Sequence, residues 1–146
     1  MSTSLVIQDS HVRPELFHWR GPIAPAKLKS WLKEHRLDAC PIDLRLLWEQ
    51  TGGGDLLETE TILGPFGDAE MGDALFEANR DLRLRGLPDK LVVFHTGTTT
   101  SAVDALAGDY VELDGRDFRV LCRFRTLDEW YAVTIRSALG SRYGLR

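Results

Sequence analysis

The pair Asp114-Gly115 stands between two runs in which apolar and polar residues alternate. Residues 110–113 precede it; beyond it Phe118, Val120, Cys122 and Phe124 alternate with Arg119, Leu121, Arg123 and Arg125. Such alternation marks a strand with one buried face, and Asp-Gly favours the left-handed backbone of a tight hairpin turn. A link this short holds no crossover, so the strands it joins run antiparallel. Residues 91–94 and 102–106 read as further strands, separated by the polar loop Thr96-Gly97-Thr98-Thr99-Thr100-Ser101. Residues 56–63 read as one more, with Leu57, Thr59, Thr61 and Leu63 on one side and Glu58 and Glu60 exposed on the other.

Helices surround these strands. In residues 26–36, Leu28, Trp31, Leu32 and His35 fall on one face. From Pro41 to Gln50 a proline suits the first turn, Asp43 suits the positive end of the helix dipole, and Leu44, Leu47 and Trp48 form the apolar stripe. Gly52-Gly53-Gly54 then stops the helix, a glycine there taking the left-handed cap conformation. Residues 69–85 carry Met71, Leu75, Ala78 and Leu82 at helical spacing, before Gly86 and Pro88. Thr126-Leu127-Asp128-Glu129 is a capping box that opens a last helix with Leu127, Trp130, Tyr131, Thr134 and Ile135 on one face. The class is therefore α+β: a mixed, mostly antiparallel sheet flanked by helices. Length (146 residues) fits one domain. Residues 1–25, broken by Pro14, Pro22 and Pro25, read as an irregular segment packed on a domain spanning 26–146. Within them, residues 5–7 suit a short strand, and Phe17 and Trp19 suit the edge of the core.

Charge is distributed unevenly. No Lys or Arg lies between Arg45 and Arg80, and that stretch holds eight acids: Glu49, Asp55, Glu58, Glu60, Asp68, Glu70, Asp73 and Glu77. It carries −8 while the rest of the chain carries +4, for a net charge of −4. Such asymmetry concerns partners rather than fold. An acidic face repels nucleic acid and steers a basic partner. The apolar runs are far shorter than the ~20 residues that span a bilayer, and the N-terminus lacks the pattern of a secretory signal, so a cytoplasmic protein without membrane contact is expected.

Catalytic and metal motifs are sparse. Gly52-Gly53-Gly54 follows a helix, lacks the Gly-Lys-Ser/Thr ending and is followed by Asp55, which would repel phosphate. The two cysteines, Cys40 and Cys122, lie far apart, outside any zinc spacing, and read as buried reduced thiols. Cys40 precedes Pro41 at a helix start, where a thiolate gains stability, so a small enzyme using Cys40 or His95 is an alternative. His95, ending an apolar strand, reads more simply as structural. No metal or cofactor is implied.

The order of motifs resembles the SUKH superfamily of cell-wall regulators and immunity proteins. The resemblance rests on Pro41, Trp48, Gly52 and Gly53 in the run Cys40-Pro41-Ile42-Asp43-Leu44-Arg45-Leu46-Leu47-Trp48-Glu49-Gln50-Thr51-Gly52-Gly53-Gly54-Asp55. It continues with Leu87-Pro88 before an apolar strand, with Ala102-Val103-Asp104-Ala105-Leu106, and with Phe124-Arg125-Thr126-Leu127-Asp128-Glu129-Trp130. It spans residues 26–139; the acid-rich stretch matches only loosely. It implies a central sheet flanked by helices and no catalytic residue. It also implies a non-enzymatic immunity protein that binds and neutralises a cognate toxin of nuclease or deaminase type, or else a regulatory module that binds a host protein. Nuclease toxins carry basic grooves for phosphate, so the acids are the candidate contacts: Asp55, Glu58, Glu60, Asp73 and Glu77.

Overall fold

The computed structural model describes residues 4–145. Seven strands form one sheet in simple sequential order, each antiparallel to its neighbour. They are β1 (Phe17–Trp19), β2 (Gly54–Leu56), β3 (Glu60–Ile62), β4 (Leu91–Thr96), β5 (Thr100–Asp104), β6 (Asp109–Leu113) and β7 (Val120–Phe124). The helices are α1 (Leu5–Val12), α2 (Pro25–Glu34), α3 (Ile42–Thr51), α4 (Leu75–Leu84), α5 (Leu127–Trp130) and α6 (Ser137–Leu139). A π-helical stretch, Tyr131–Arg136, links the last two. The α+β class is as the sequence indicates, and among the named strands the pairing is wholly antiparallel. Among the described residues no helix is long and apolar enough to cross a membrane.

One buried core joins the layers. Phe94 on β4 packs edge-on to Tyr110 on β6 and to Trp130 on α5, at ring separations of 5.5 and 4.7 Å. The α3 stripe contributes Leu44, Leu47 and Trp48, all fully buried. The Trp48 indole N–H donates to the Leu63 carbonyl at 2.9 Å, so this large ring enters the core without an orphaned donor.

Two acids replace what short helices lack. Asp43, in the first turn of α3, accepts a close hydrogen bond from the Tyr110 hydroxyl and another from the Leu127 N–H at 2.8 Å. One carboxylate thus ties α3, β6 and the start of α5. Asp9 on α1 accepts from the Tyr131 hydroxyl at 2.7 Å and from Arg136 Nε at 2.9 Å. Tyr131 and Arg136 are five residues apart. The wider winding of the π-helix brings them to one side, where both reach Asp9.

β3 covers only the far end of β4, through Thr61–Thr96 and Ile62–His95. Helix α4 satisfies the uncovered part of that edge. Asn79 donates to the Val93 carbonyl and accepts from the Val93 N–H, at 2.8 and 2.7 Å. One turn on, Arg83 donates to the Leu91 carbonyl at 2.9 Å. Residues four apart share a helix face, so one stripe of α4 serves in place of a strand.

Several local expectations are overturned. Residues 5–12 form a helix, in place of the short strand expected over 5–7, while Phe17 and Trp19 do lie at the core edge, on a strand within the stretch read as irregular; Val6, Ile7 and Phe17 are buried. α4 starts at Leu75 rather than near residue 69, and Met71 is 72% exposed. The turn after β6 runs through residues 114–119. Asp114 accepts from the N–H groups of Arg116 and Asp117, and Phe118, not Gly115, takes the positive φ of 61°. Cys122 is exposed, because β7 is an edge strand.

Replacing Asn79 by Ala strands the N–H and C=O of Val93 in the core. We expect a loss of about 2–4 kcal/mol in unfolding free energy. It would be seen as a lower denaturant midpoint at unchanged slope. A wild-type midpoint would contradict the edge role of α4.

Candidate functional site

The acid-rich stretch folds into two environments, separated by a turn. Ahead of it, α3 ends at Gly52, whose φ of 73° gives the left-handed cap; its N–H returns to the Trp48 carbonyl at 2.8 Å. The Gly53 N–H is held by Thr51 Oγ1 at 3.2 Å. These glycine N–H groups serve the helix end, not an anion. A side chain at Gly52 would collide with the Gly21 carbonyl, and one at Gly54 with that of His18. Glycine here lets β2 lie against the β1 segment.

Residues 57–59 then reverse the chain, which splits the single strand expected over 56–63. Leu57 and Glu58 both take the left-handed conformation, with φ of 50° and 66°. Each costs of order 1 kcal/mol outside glycine. Full burial of the Leu57 side chain offsets part of that cost. The reversal places Glu58 outside and Glu60 inside, so the two carboxylates do not share a face.

Glu60 is 1% exposed, and His95 and Ser101 are 0% exposed. The His95 Nε2–H donates to Glu60 Oε1 at 2.8 Å, and Nδ1 meets Ser101 Oγ at 2.9 Å. Glu60 also accepts from the Thr59 hydroxyl at 2.6 Å, and from the N–H and hydroxyl of Thr98 at 3.2 and 3.3 Å. A side chain at Gly97 would strike this carboxylate. The Trp130 ring closes the site 5.1 Å from His95. Burial alone raises the Glu60 carboxyl pKa; the bonds from His95, Thr59 and Thr98 outweigh it and hold the group below its ordinary 4.5. Hydroxyl, imidazole and carboxylate thus form a continuous chain, the residue types of hydrolytic triads. In this conformation the chain lies inside the core, and what it does there is join β3, β4, β5 and the loop between the last two. Glu60 is accordingly not a surface contact.

Asp55 and Glu58 are exposed. Asp55 lies between His18 on β1 and Thr61 on β3, and accepts from the Thr61 hydroxyl at 2.9 Å. Asp73 is mostly buried and makes a close ion pair with Arg20. Its carboxyl pKa is raised, first by burial and then by the negative charge of Asp55, with a smaller contribution from Asp68; Arg20 does not cancel these. Asp55 and Asp68 therefore lie near Asp73, and the three form one acidic cluster in which Asp73 pairs with Arg20. Glu77, half-buried, lies in the first turn of α4, where the helix dipole favours an acid. Of the five candidates, the structure brings Asp55 and Asp73 together, leaves Glu58 at the adjacent turn and Glu77 on a helix, and withdraws Glu60. Asp68 joins the cluster through a loop that helical spacing alone does not reveal.

Cys40 is 4% exposed, and burial above all pushes its thiol up to about 12, with Arg45 opposing and Asp38 adding. At neutral pH it is the protonated thiol, the opposite of an activated nucleophile. No group of three or more His, Cys, Asp or Glu among the described residues is arranged to hold a metal ion.

The Glu60 pair gives a pH signature. A carboxyl held below its ordinary value stabilises the fold above pH 4.5, and that contribution is lost as pH falls through the depressed value. We expect Glu60→Gln to lower stability at pH 7 by about 1–3 kcal/mol. It should also flatten the acid limb of stability below pH 4.5. An unchanged acid limb in equilibrium unfolding would contradict the assignment. Compared with protein-family models and with curated proteins, the chain gives no match.

Proposed function

We propose that the protein is a non-enzymatic binding domain, a cytoplasmic bacterial immunity protein that neutralises a basic toxin domain of nuclease or deaminase type. The observation that carries this reading is the acidic cluster of Asp55, Asp68 and Asp73, with Glu58 at the turn that follows Asp55. Asp73 holds its carboxyl above the ordinary 3.8 although a guanidinium touches it. The sign of that shift matters. Above pH 3.8 the ionised Asp73 costs folding free energy, first through its burial and then through the charge of Asp55, and a bound cationic surface offsets the like-charge part of that cost. A nuclease or deaminase presents such a surface, because it must itself attract phosphates.

The SUKH resemblance supports the same reading. Its residues fall where they shape the fold: Pro41 and Gly52 bound α3, Leu87-Pro88 precedes β4, and the run from Phe124 to Trp130 joins β7 to α5. They carry no chemistry of their own, which leaves recognition to the surface.

Lysine at both Asp55 and Glu58 tests the proposal, since both side chains are exposed and Arg20 keeps its own partner. Capture of a basic toxin-like protein from native host lysate should be lost at high salt for the wild type. For the double variant it should fall about tenfold or more even at low salt. Equal capture by both proteins, or capture of an endogenous regulatory protein alone, would overturn the proposal.

A further inference from the structure

A second surface, between α2 and α4, has the opposite character. Its groove, of about 620 Å³, is lined by His35, Leu37, Phe76, Arg36, Arg80 and Leu84, together with the buried Asn79 and the pair Arg83 and Asp89. That volume is within the range of ligand clefts. The aromatic wall is rigid: the His35 ring stacks on Trp31 at 4.1 Å, its Nδ1 is bonded to the Trp31 carbonyl, and the Phe76 ring meets it edge-on at 4.9 Å. Leu84, on the same stripe of α4 as Phe76 and Arg80, is 85% exposed.

The polar groups of the groove divide into occupied and free. Both amide hydrogens of Asn79 are taken, by the Leu75 and Val93 carbonyls, and its oxygen by the Val93 N–H. Arg83 is bonded to the carbonyls of Asp89 and Leu91. Among the described residues Arg80 has only the exposed Asp81 at 3.7 Å, a pair worth little in water. Arg36 has no side-chain partner among the described residues. Asn79 therefore offers the groove no free hydrogen bond, while Arg36 and Arg80 offer two available guanidiniums.

We propose that this groove seats a short acidic protein segment, one bulky apolar side chain packing against Phe76, Leu37 and Leu84 while flanking carboxylates pair with Arg36 and Arg80. Guanidiniums match carboxylates in a planar fork, and an apolar anchor ringed by charge is a common way for peptides to dock. The site is separate from the Asp55 cluster and of opposite charge, so it takes a different segment or a different partner.

The test uses the intact chain, isotope-labelled for NMR, titrated with a peptide in which one phenylalanine is flanked on each side by two glutamates. Controls are the same peptide with lysines for the glutamates, and a single-stranded oligonucleotide of similar length. The expected result is progressive shifts at His35, Phe76, Arg80 and Leu84 with the acidic peptide alone. Arg36→Ala with Arg80→Ala should weaken binding about fivefold or more. Leu84→Glu, at an exposed position, should abolish it while leaving the spectrum of the folded protein otherwise unchanged. No shifts in the groove with the acidic peptide, equal shifts with the lysine peptide, binding of the oligonucleotide in its place, or wild-type affinity in the arginine variant would each overturn the proposal.

Discussion

The bond between Glu60 and His95 is the constraint to which much of the sheet answers. A carboxylate 1% exposed must find donors, and this one finds them on three segments: the turn before β3, the end of β4 and the loop before β5. A slip of one residue in β3 would move Glu60 to the other face and place Thr59 or Thr61 against His95. Gly97 is the counterpart of that fit, since a side chain there would displace the carboxylate. The left-handed pair Leu57–Glu58 follows from the same requirement, because the turn must deliver Glu60 inward with only three residues between it and Leu56.

This arrangement fixes what the surface carries. With Glu60 turned inward, Glu58 and Asp55 are turned outward, and the loop after β3 brings Asp68 and Asp73 near Asp55. The acids of one sequence stretch therefore separate into a structural group and an exposed group. Beside β4, α4 makes a similar division. Asn79 and Arg83 face the strand edge, while Phe76, Arg80 and Leu84 face the groove. Two surfaces of opposite charge thus arise from elements whose other sides hold the β4 edge in place.

What could be read from the sequence was local. The helix carrying Leu44, Leu47 and Trp48, its glycine stop and the capping function of Thr126 all depend on residues a few positions apart. Thr126 accepts from the Glu129 N–H at 3.1 Å, although the Glu129 carboxylate reaches back to Arg125 rather than to Thr126. The antiparallel pairing of β4 to β7 followed from short links. What escaped was set by distant partners. Glu60 looks exposed by alternation, and only His95, 35 residues away, brings it inside. Residues 5–12 lack a clear apolar stripe, and their helix is held by Asp9 against Tyr131 and Arg136. The 69–74 stretch has helical spacing, but Asp68 instead accepts from the Glu70 N–H and starts a turn. Charge alone proposed the candidate contacts, and it gave no means of telling the buried Glu60 from the exposed Glu58.

The most direct test of the account is amide hydrogen exchange of the protein alone and bound to the basic partner that it captures. The account predicts new protection at residues 55–58 and 68–73, with the amides of β4 and β5 already slow in both states. Protection confined to the groove between α2 and α4, or to β7, with residues 55–58 and 68–73 unchanged, would contradict the assignment of the acidic cluster as the binding face.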